Sequence, residues 1–188
     1  NLRGYINKIK GIYYLLYSEE SYFNQINFFD TSLNIETALP WLTIPAIKFL
    51  HKFLKKYPES KILEVGGGNS TLYFKKNGFY VDTIESDKNY LEFLKNIIKN
   101  NNFKHSFISS PEKIYDIIII DSCEDRIKYL KELVPFLSPN GFFVLDDSER
   151  YKIDIPNIKE ITFFGLKKES FVENETKILF FNSEFLNA

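Results

Sequence analysis

A glycine-rich turn stands near the middle of the sequence, in the order Glu64, Val65, Gly66, Gly67, Gly68, Asn69, Ser70. Glycines after a strand allow a tight turn and let a ligand approach the bare backbone. The start of the following helix offers N–H groups that lack a partner. A pyrophosphate has little use for the carboxylate of Glu64, whereas a ligand with a positive ammonium group gains from it. The pattern favours a cationic ligand held by residues 64–70, with a plain strand-to-helix turn as the alternative.

A second acid, Glu85, ends the next predicted strand about 20 residues after the glycine turn. A carboxylate at that point can accept hydrogen bonds from both ribose hydroxyls of an adenosine. The glycine turn and Glu85 together predict a pocket for a ligand that contains a nucleoside. The alternative for Glu85 is a solvated strand end.

Three further carboxylates, Asp121, Asp146 and Asp147, follow the fourth and fifth predicted strands. If these strands are neighbours, the acids converge, and convergent acids need a cation, a proton or a functional purpose. One interpretation is a site for a hard divalent ion such as Mg²⁺. In the second, Asp121 lies near the bound ligand and another of the acids acts as general base without metal. In the third, Asp146 and Asp147 only cap a helix that starts near Ser148.

Two other side chains are candidates for contact with a substrate. Arg150 follows the acidic pair and would bind an anionic substrate group, unless it is merely solvated. Trp41 precedes the first core helix and would cover the ligand or shape the acceptor pocket, unless it packs in the core. His51 and His105 lie away from the carboxyl ends of the predicted strands, so no histidine base is predicted.

The elements that must position these residues alternate between strand and helix. Strands are predicted at residues 61–65, 80–85, 103–109, 116–121, 141–146, 159–164 and 177–181, with the last two forming a hairpin. Helices are predicted at residues 46–56, 70–76, 88–100 and 125–137. This alternation predicts the α/β class: a doubly wound, mostly parallel sheet with helices on both faces and a C-terminal antiparallel strand pair. Ligands of such sheets bind beyond the carboxyl ends of the strands.

Length and composition limit the remaining possibilities. The 188 residues suit a single domain over 1–188, with a helical N-terminal extension at 1–45 and a Rossmann-like core at 46–188. A net charge of -1 argues against a nucleic-acid partner. No apolar run approaches the roughly 20 residues of a membrane helix, and no secretory signal is visible. With a single cysteine, these features predict a cytoplasmic protein without a membrane partner.

Residues 61–147 resemble the class I methyltransferases that depend on S-adenosylmethionine (SAM). The first motif of that family is an acid, any residue, then Gly-x-Gly-x-Gly, and Ser70 replaces the third glycine here. The resemblance implies that Gly66 and Gly68 line the methionine part of SAM, and that Glu85 holds the ribose. It places Ser109 or Ser110 near the adenine, and it implies methyl transfer (EC 2.1.1 type) to a small molecule. A looser similarity over residues 39–181 to a bacterial group points to a sugar or another metabolite as acceptor.

The three acids also resemble those of the catechol-type O-methyltransferases. Those enzymes place one acid after the fourth strand and an acid–amide pair after the fifth, and Asp147 stands at the amide position here. The resemblance implies that Asp121, Asp146 and Asp147 bind Mg²⁺, which would hold a substrate hydroxyl and lower its pKa. A hydroxyl oxygen is therefore the predicted acceptor.

Two other functions remain open on the sequence. The chain is similar to spermidine-synthase-like aminopropyltransferases in its glycine turn and in Ile120-Asp121-Ser122, but Arg126 stands where a proline would follow the next acid. A catalytically silent SAM-binding module is the other, with the aromatic residues 1–30 as its surface for a protein partner. A homodimer is also kept as an option, since small enzymes of this fold often pair.

Overall fold

A computed structural model describes residues 33–187, except residues 101–105, 123, 169, 171 and 172. Seven strands form one sheet: β1 (Ile62–Val65), β2 (Val81–Ile84), β3 (Ser106–Phe107), β4 (Tyr115–Ile120), β5 (Leu137–Asp146), β6 (Lys159–Gly165) and β7 (Asn174–Phe180). The described α-helices are α1 (Ile44–Lys56), α2 (Asn69–Lys76), α3 (Lys88–Asn100) and α4 (Arg126–Leu133). Strands and helices therefore alternate as the sequence predicts.

The strand order explains where a ligand can bind. The order is β3-β2-β1-β4-β5-β7-β6, with β1 to β5 parallel and β7 antiparallel to both of its neighbours. The chain runs outward from β1 to β3 and then returns to β4 on the other side of β1. This reversal is the switch point at which parallel α/β sheets open a crevice between adjacent strand ends.

Both faces of the sheet are covered, because side chains of a strand point alternately to opposite sides. Ile117 and Ile119 join one buried cluster, and Ile118 and Ile120 join the other. The first cluster includes side chains from α1, α2 and α3, and the second includes side chains from α4. The uninterrupted isoleucine run of β4 is thus explained by burial on both faces, and the predicted fold class is confirmed.

Three details differ from the sequence prediction. Helix α4 ends at Leu133, and a 3-10 turn over Val134–Phe136 replaces its predicted last turn, because Pro135 cannot donate a helical hydrogen bond. Strand β5 begins at Leu137 rather than at Gly141. The final hairpin exists, but its second strand lies between β5 and β6, so β6 forms the edge of the sheet.

The predicted N-terminal extension is described only in part. Residues 1–32 lie outside the described residues, and residues 33–43 form a turn and irregular structure without an α-helix. Helix α1 begins at Ile44 with Pro45 in its first turn, a position that tolerates proline because the N–H there is unpaired anyway. None of the described helices is long and apolar enough to span a membrane.

Candidate active site

A pocket of about 510 Å³ opens where the carboxyl ends of β1, β2, β4 and β5 meet. This volume lies within the range of sites that enclose small molecules and cofactors. Most of the site residues predicted from the sequence line it: Trp41, Gly66, Gly67, Gly68, Asn69, Ser70, Glu85, Asp121, Asp146 and Asp147. The predicted convergence of the glycine turn and the three acids is therefore observed.

The glycine turn packs directly against the end of β4. Gly66 has a φ of 94°, and a Cβ there would lie 2.7 Å from the carbonyl carbon of Asp121 and 2.9 Å from the Cα of Ser122. Because a Cβ would clash with backbone and the φ is unfavourable for other residues, only glycine fits. The bare backbone of this turn forms one wall of the pocket.

Glu64 is fully buried behind the turn and is not among the residues that line the pocket. Its Oε1 accepts a hydrogen bond from Ser70, and its Oε2 accepts from Thr71 and, at 2.9 Å, from Thr83. Burial raises the pKa of Glu64 to about 7, although the three hydroxyls oppose the shift. The predicted direct contact of Glu64 with a cationic ligand is wrong for this arrangement. Glu64 instead ties the start of α2 to β1 and β2.

Glu85 lies half-buried at the end of β2 and faces the pocket. Its Oε2 accepts a hydrogen bond from the N–H of Gly67 at 3.0 Å, and its Oε1 accepts from the N–H of Asp87 at 2.9 Å. Each carboxylate oxygen can accept more than one hydrogen bond, so both keep capacity for a ligand. Glu85 is thus fixed beside the glycine turn.

Asp146 and Asp147, at the end of β5, are held by a lysine that the sequence prediction did not include. Nζ of Lys167 lies 2.8 Å from Oδ2 of Asp146 and also contacts Oδ1 of Asp147. Asp147 has the left-handed conformation (φ 49°, ψ 38°), which is rare outside glycine and is found preferentially at functional sites. Asp147 does precede a 3-10 turn over Ser148–Arg150, but its side chain makes no capping hydrogen bond there, so capping does not explain this acid.

Asp121, at the end of β4, pairs with Arg126 in the first turn of α4. Nη2 of Arg126 donates to Oδ1 of Asp121 at 2.9 Å. The same guanidinium donates to the carbonyl oxygens of Ser122, at 2.9 Å, and of Asp146, at 2.6 Å. Arg126 therefore joins the ends of β4 and β5, and it sets the position of Asp121 in the pocket wall.

The titration of this cluster follows from its burial. Burial raises the pKa of Asp121 well above its ordinary value, and the charge of Asp146 adds to the effect while Arg126 opposes it. Burial also raises the pKa of Asp146, against the opposing charge of Lys167. For Lys167, burial favours the neutral amine, but Asp146 and Asp147 outweigh it and raise the pKa. The short contacts support an ammonium on Lys167, and Asp121 is the carboxyl best suited to take up a proton.

Two polar atoms in the pocket wall, Oδ1 of Asn69 and Oγ of Ser122, are buried without a hydrogen-bond partner among the residues that the structure describes. A buried polar atom without a partner destabilises the fold by roughly 1–3 kcal/mol. Both residues stand directly at strand or turn ends that face the pocket. Such atoms are expected where a ligand completes the hydrogen bonding.

The remaining sequence-predicted residues are placed differently. Ser109 is exposed at the end of β3 and is not among the residues that line the pocket. Arg150 is 62% exposed and pairs with Asp147 at 3.0 Å instead of facing the pocket. Trp41 does line the pocket and is 48% exposed, so it does not belong to the core. The predicted adenine contact of Ser109 and the predicted substrate contact of Arg150 are not supported by these positions.

The donor set does not fit the predicted Mg²⁺. In the part of the chain that the structure describes, no three acidic, histidine or cysteine side chains are arranged to hold a metal ion. The oxygens of Asp146 and Asp147 are already bonded to Lys167, Arg150 and Thr176. A metal would have to displace these partners.

Ser122, Arg126 and Lys167 also line the pocket and were not predicted from the sequence. Ser122 follows Asp121 directly and could have been found from its place at a strand end. Arg126 and Lys167 lie on different elements from the acids they bind. Arg126 is only five residues from Asp121 and could have been found from that spacing, whereas Lys167 is 21 and 20 residues from Asp146 and Asp147 and reaches them only in the folded sheet.

No protein-family model and no curated protein sequence matches the chain. Solved structures do share its fold. A Klebsiella pneumoniae protein provisionally assigned as an O-methyltransferase has 15% identity and a TM-score of 0.61, over 92% of this chain and 94% of that one. An O-methyltransferase from Bacillus cereus, solved in complex with SAH, has 15% identity and a TM-score of 0.59, over 90% and 94%.

A third structure, from Staphylococcus aureus, is provisionally assigned as a caffeoyl-CoA O-methyltransferase. It has 14% identity and a TM-score of 0.58, and the match covers 93% of this chain and 98% of that one. At such low identity the matches establish the architecture and leave the reaction to be argued from the site. The chain has the Rossmann-like fold of the class I methyltransferases.

Proposed function

We propose that this protein binds S-adenosylmethionine in the pocket and transfers its methyl group to a hydroxyl oxygen of a small molecule. The observation that carries the proposal is one continuous pocket that joins the glycine turn and Glu85 to the carboxylate end at Asp121. In this pocket, residues suited to bind a nucleoside lie next to carboxyl groups suited to accept a proton.

The first half of the pocket suits the donor. Glu85 presents a fixed carboxylate for the ribose hydroxyls, next to the backbone of Gly67. We infer that Oδ1 of Asn69 and Oγ of Ser122 bond the polar methionine part, because both residues line the pocket and neither atom has a partner among the described residues. The Bacillus cereus structure with SAH supports this choice of ligand.

The second half of the pocket suits the acceptor. Bound SAM supplies an activated methyl group with a neutral thioether as leaving group. The acceptor oxygen forms a bond to the methyl carbon while the carbon–sulfur bond breaks and its electron pair returns to sulfur. The hydroxyl proton passes to the carboxylate of Asp121, which lines the pocket and whose pKa is raised by burial. Trp41 at the pocket rim and Arg126 behind Asp121 hold the acceptor and the base in place.

The proposal is tested by calorimetric titration of the full chain with SAM, SAH and decarboxylated SAM. We expect micromolar dissociation constants for SAM and SAH. Replacing Glu85 by Ala is expected to weaken both by about tenfold or more, since hydrogen bonds to a charged group are lost. Glu92→Ala is the matched control, because Glu92 is exposed on α3, pairs with Lys95 and is not among the residues that line the pocket.

The outcomes separate the candidate functions. Preference for decarboxylated SAM over SAM would favour an aminopropyltransferase. A silent binding module would be favoured if the protein binds SAM and SAH but forms no SAH from SAM in the presence of a metabolite extract. In that case Asp121→Asn should bind SAM as well as the unchanged protein does. Absence of binding to all three compounds in a folded sample would refute the proposal.

A further inference from the structure

The carboxylates at the end of β5 are saturated by partners from the protein itself. In Asp146, Oδ1 accepts from Thr176 at 3.3 Å and Oδ2 accepts from Lys167 at 2.8 Å. In Asp147, Oδ1 contacts Lys167 and Oδ2 lies 3.0 Å from Arg150. Both side chains are more than 90% buried. Every oxygen of this pair is therefore already engaged by a cation or a hydroxyl of the protein, and Arg126 lies a further 3.6 and 3.8 Å from Oδ2 of Asp146 and Oδ2 of Asp147.

The negative charges of the cluster are compensated by cations of the protein. Asp121, Asp146 and Asp147 face Arg126 and Lys167, and Asp147 also pairs with the exposed Arg150, which Glu149 shares at 3.8 Å. A buried cluster of like charges needs compensation, and an added divalent ion would leave this one with excess positive charge. Magnesium also retains several water molecules and needs near-octahedral oxygen ligands, and these carboxylates would have to give up Lys167 and Arg150 to supply them.

Lys167 is held in place by its own segment. It follows β6 by two residues, and the carbonyl oxygen of the buried Leu166 accepts a hydrogen bond at 2.8 Å from the N–H of Ile44. Gly165 packs so closely on Pro45 that a Cβ there would lie 2.8 Å from its ring. The start of α1 thus fixes the loop that delivers the ammonium, whose side chain is only 13% exposed.

We propose that Lys167 occupies, as a built-in cation, the place that a divalent metal would take in this cluster, and that the site works without such a metal. The claim that the site works without a metal rests on the proposed methyl transfer. The claim that Lys167 occupies the place of a metal does not depend on it. An ammonium has three N–H donors, and Asp146 and Asp147 take two of them. Because Lys167 lines the pocket, the third donor is available to the oxygen of an acceptor.

The experiment uses Mn²⁺ as the probe, since bound Mn²⁺ loses the electron paramagnetic resonance signal of the free ion. The full chain is titrated with Mn²⁺ with and without SAM, and the same is done with Lys167→Ala. We expect the unchanged protein to leave the Mn²⁺ signal intact. We expect Lys167→Ala to bind one Mn²⁺ per chain, because it frees one oxygen of each of two buried carboxylates and water can complete the coordination.

The control is Lys113→Ala, which also removes a lysine from a buried carboxylate, Asp82, at 2.8 Å. Asp82 is not among the pocket-lining residues, so this variant is expected to bind no Mn²⁺. A second variant, Lys167→Arg, keeps the positive charge and is also expected to bind none. Circular dichroism melts of each variant show that the sample compared is folded.

The inference is overturned if the unchanged protein binds one Mn²⁺ that Asp146→Asn abolishes. It is overturned equally if folded Lys167→Ala binds none, because Lys167 would then not stand in a metal's place. If Lys167→Ala does not fold, the result for the unchanged protein still decides. The calorimetric titration with SAM is independent of these outcomes, so failure of the proposed function and failure of this inference are distinguishable.

Discussion

Replacing the buried Glu64 by glutamine should remove a specific part of the pH dependence of stability. Burial raises the pKa of Glu64 from 4.5 to about 7 in the folded protein. Between these values the folded state holds a proton that the unfolded chain has released, so stability falls as pH rises. One pKa unit corresponds to about 1.36 kcal/mol. From about pH 5 to about pH 8 the titration of Glu64 therefore lowers the free energy of unfolding by about 2.5 kcal/mol. Below pH 4.5 the contribution is fully present.

The assay is urea unfolding of the unchanged protein and of Glu64→Gln at about pH 5 and about pH 8. Glutamine keeps the size of the side chain and can still bond the hydroxyls of Ser70, Thr71 and Thr83. The other buried acids titrate in both proteins, so the difference between the two isolates Glu64. The unchanged protein should lose about 2.5 kcal/mol more than the variant over this range.

Equal pH dependence of the two proteins would refute this reasoning. It would mean that Glu64 is ionised in the folded state, stabilised by the three hydroxyls more than it is destabilised by burial. A steeper dependence in Glu64→Gln would refute it as well, because the sign would be reversed.

Three further predictions concern the pocket wall. Gly66→Ala should lower the free energy of unfolding by about 3 kcal/mol or more, through backbone strain and the clash with Asp121. Gly78→Ala, at φ 80° with open space around it, should lower it by only about 1 kcal/mol. Arg126→Met should lower the free energy of unfolding by about 3–5 kcal/mol, since the substitution leaves a buried carboxylate unpaired. The control Lys95→Met breaks an exposed pair and should lower it by about 0.5 kcal/mol or less. Addition of SAH should change the fluorescence of Trp41, the single tryptophan of the chain, because it lines the pocket.

Each of these three predictions would be contradicted by one result. If the two glycine variants unfold at the same urea concentration, the close packing of the turn on β4 is wrong. If Arg126→Met is as stable as Lys95→Met, the guanidinium does not compensate the buried carboxylates. If calorimetry detects SAH binding while the emission of Trp41 is unchanged, the ligand does not reach the rim of the pocket.

The fold could be predicted from the sequence because its signals are local. The four isoleucines of β4 and the apolar spacing of α3 identify their elements without reference to the rest of the chain. The position of β7 between β5 and β6 could not be predicted, since a hairpin pattern does not say which of its strands pairs inward. The prediction for residues 1–32 stays a prediction.

The candidate site was predicted in its acids and glycines but not in its cations. Gly66, Glu85 and Asp121 lie at strand ends, and strand ends of parallel sheets meet at one edge. Glu64 also lies in a strand, but its carboxyl group is hydrogen-bonded to hydroxyls of α2 and β2 and does not line the pocket. Lys167 reaches the acids from a loop after β6, and only the folded sheet brings the two together.

The most direct test of the account is calorimetric titration of the full chain with SAM and SAH, beside Glu85→Ala and the control Glu92→Ala. The account predicts micromolar binding of both compounds, retained in Glu92→Ala and weakened about tenfold or more in Glu85→Ala. Absence of binding to the folded, unchanged protein would contradict it. Binding that Glu85→Ala leaves unaffected would place the ligand away from the pocket at the strand ends and would contradict it as well.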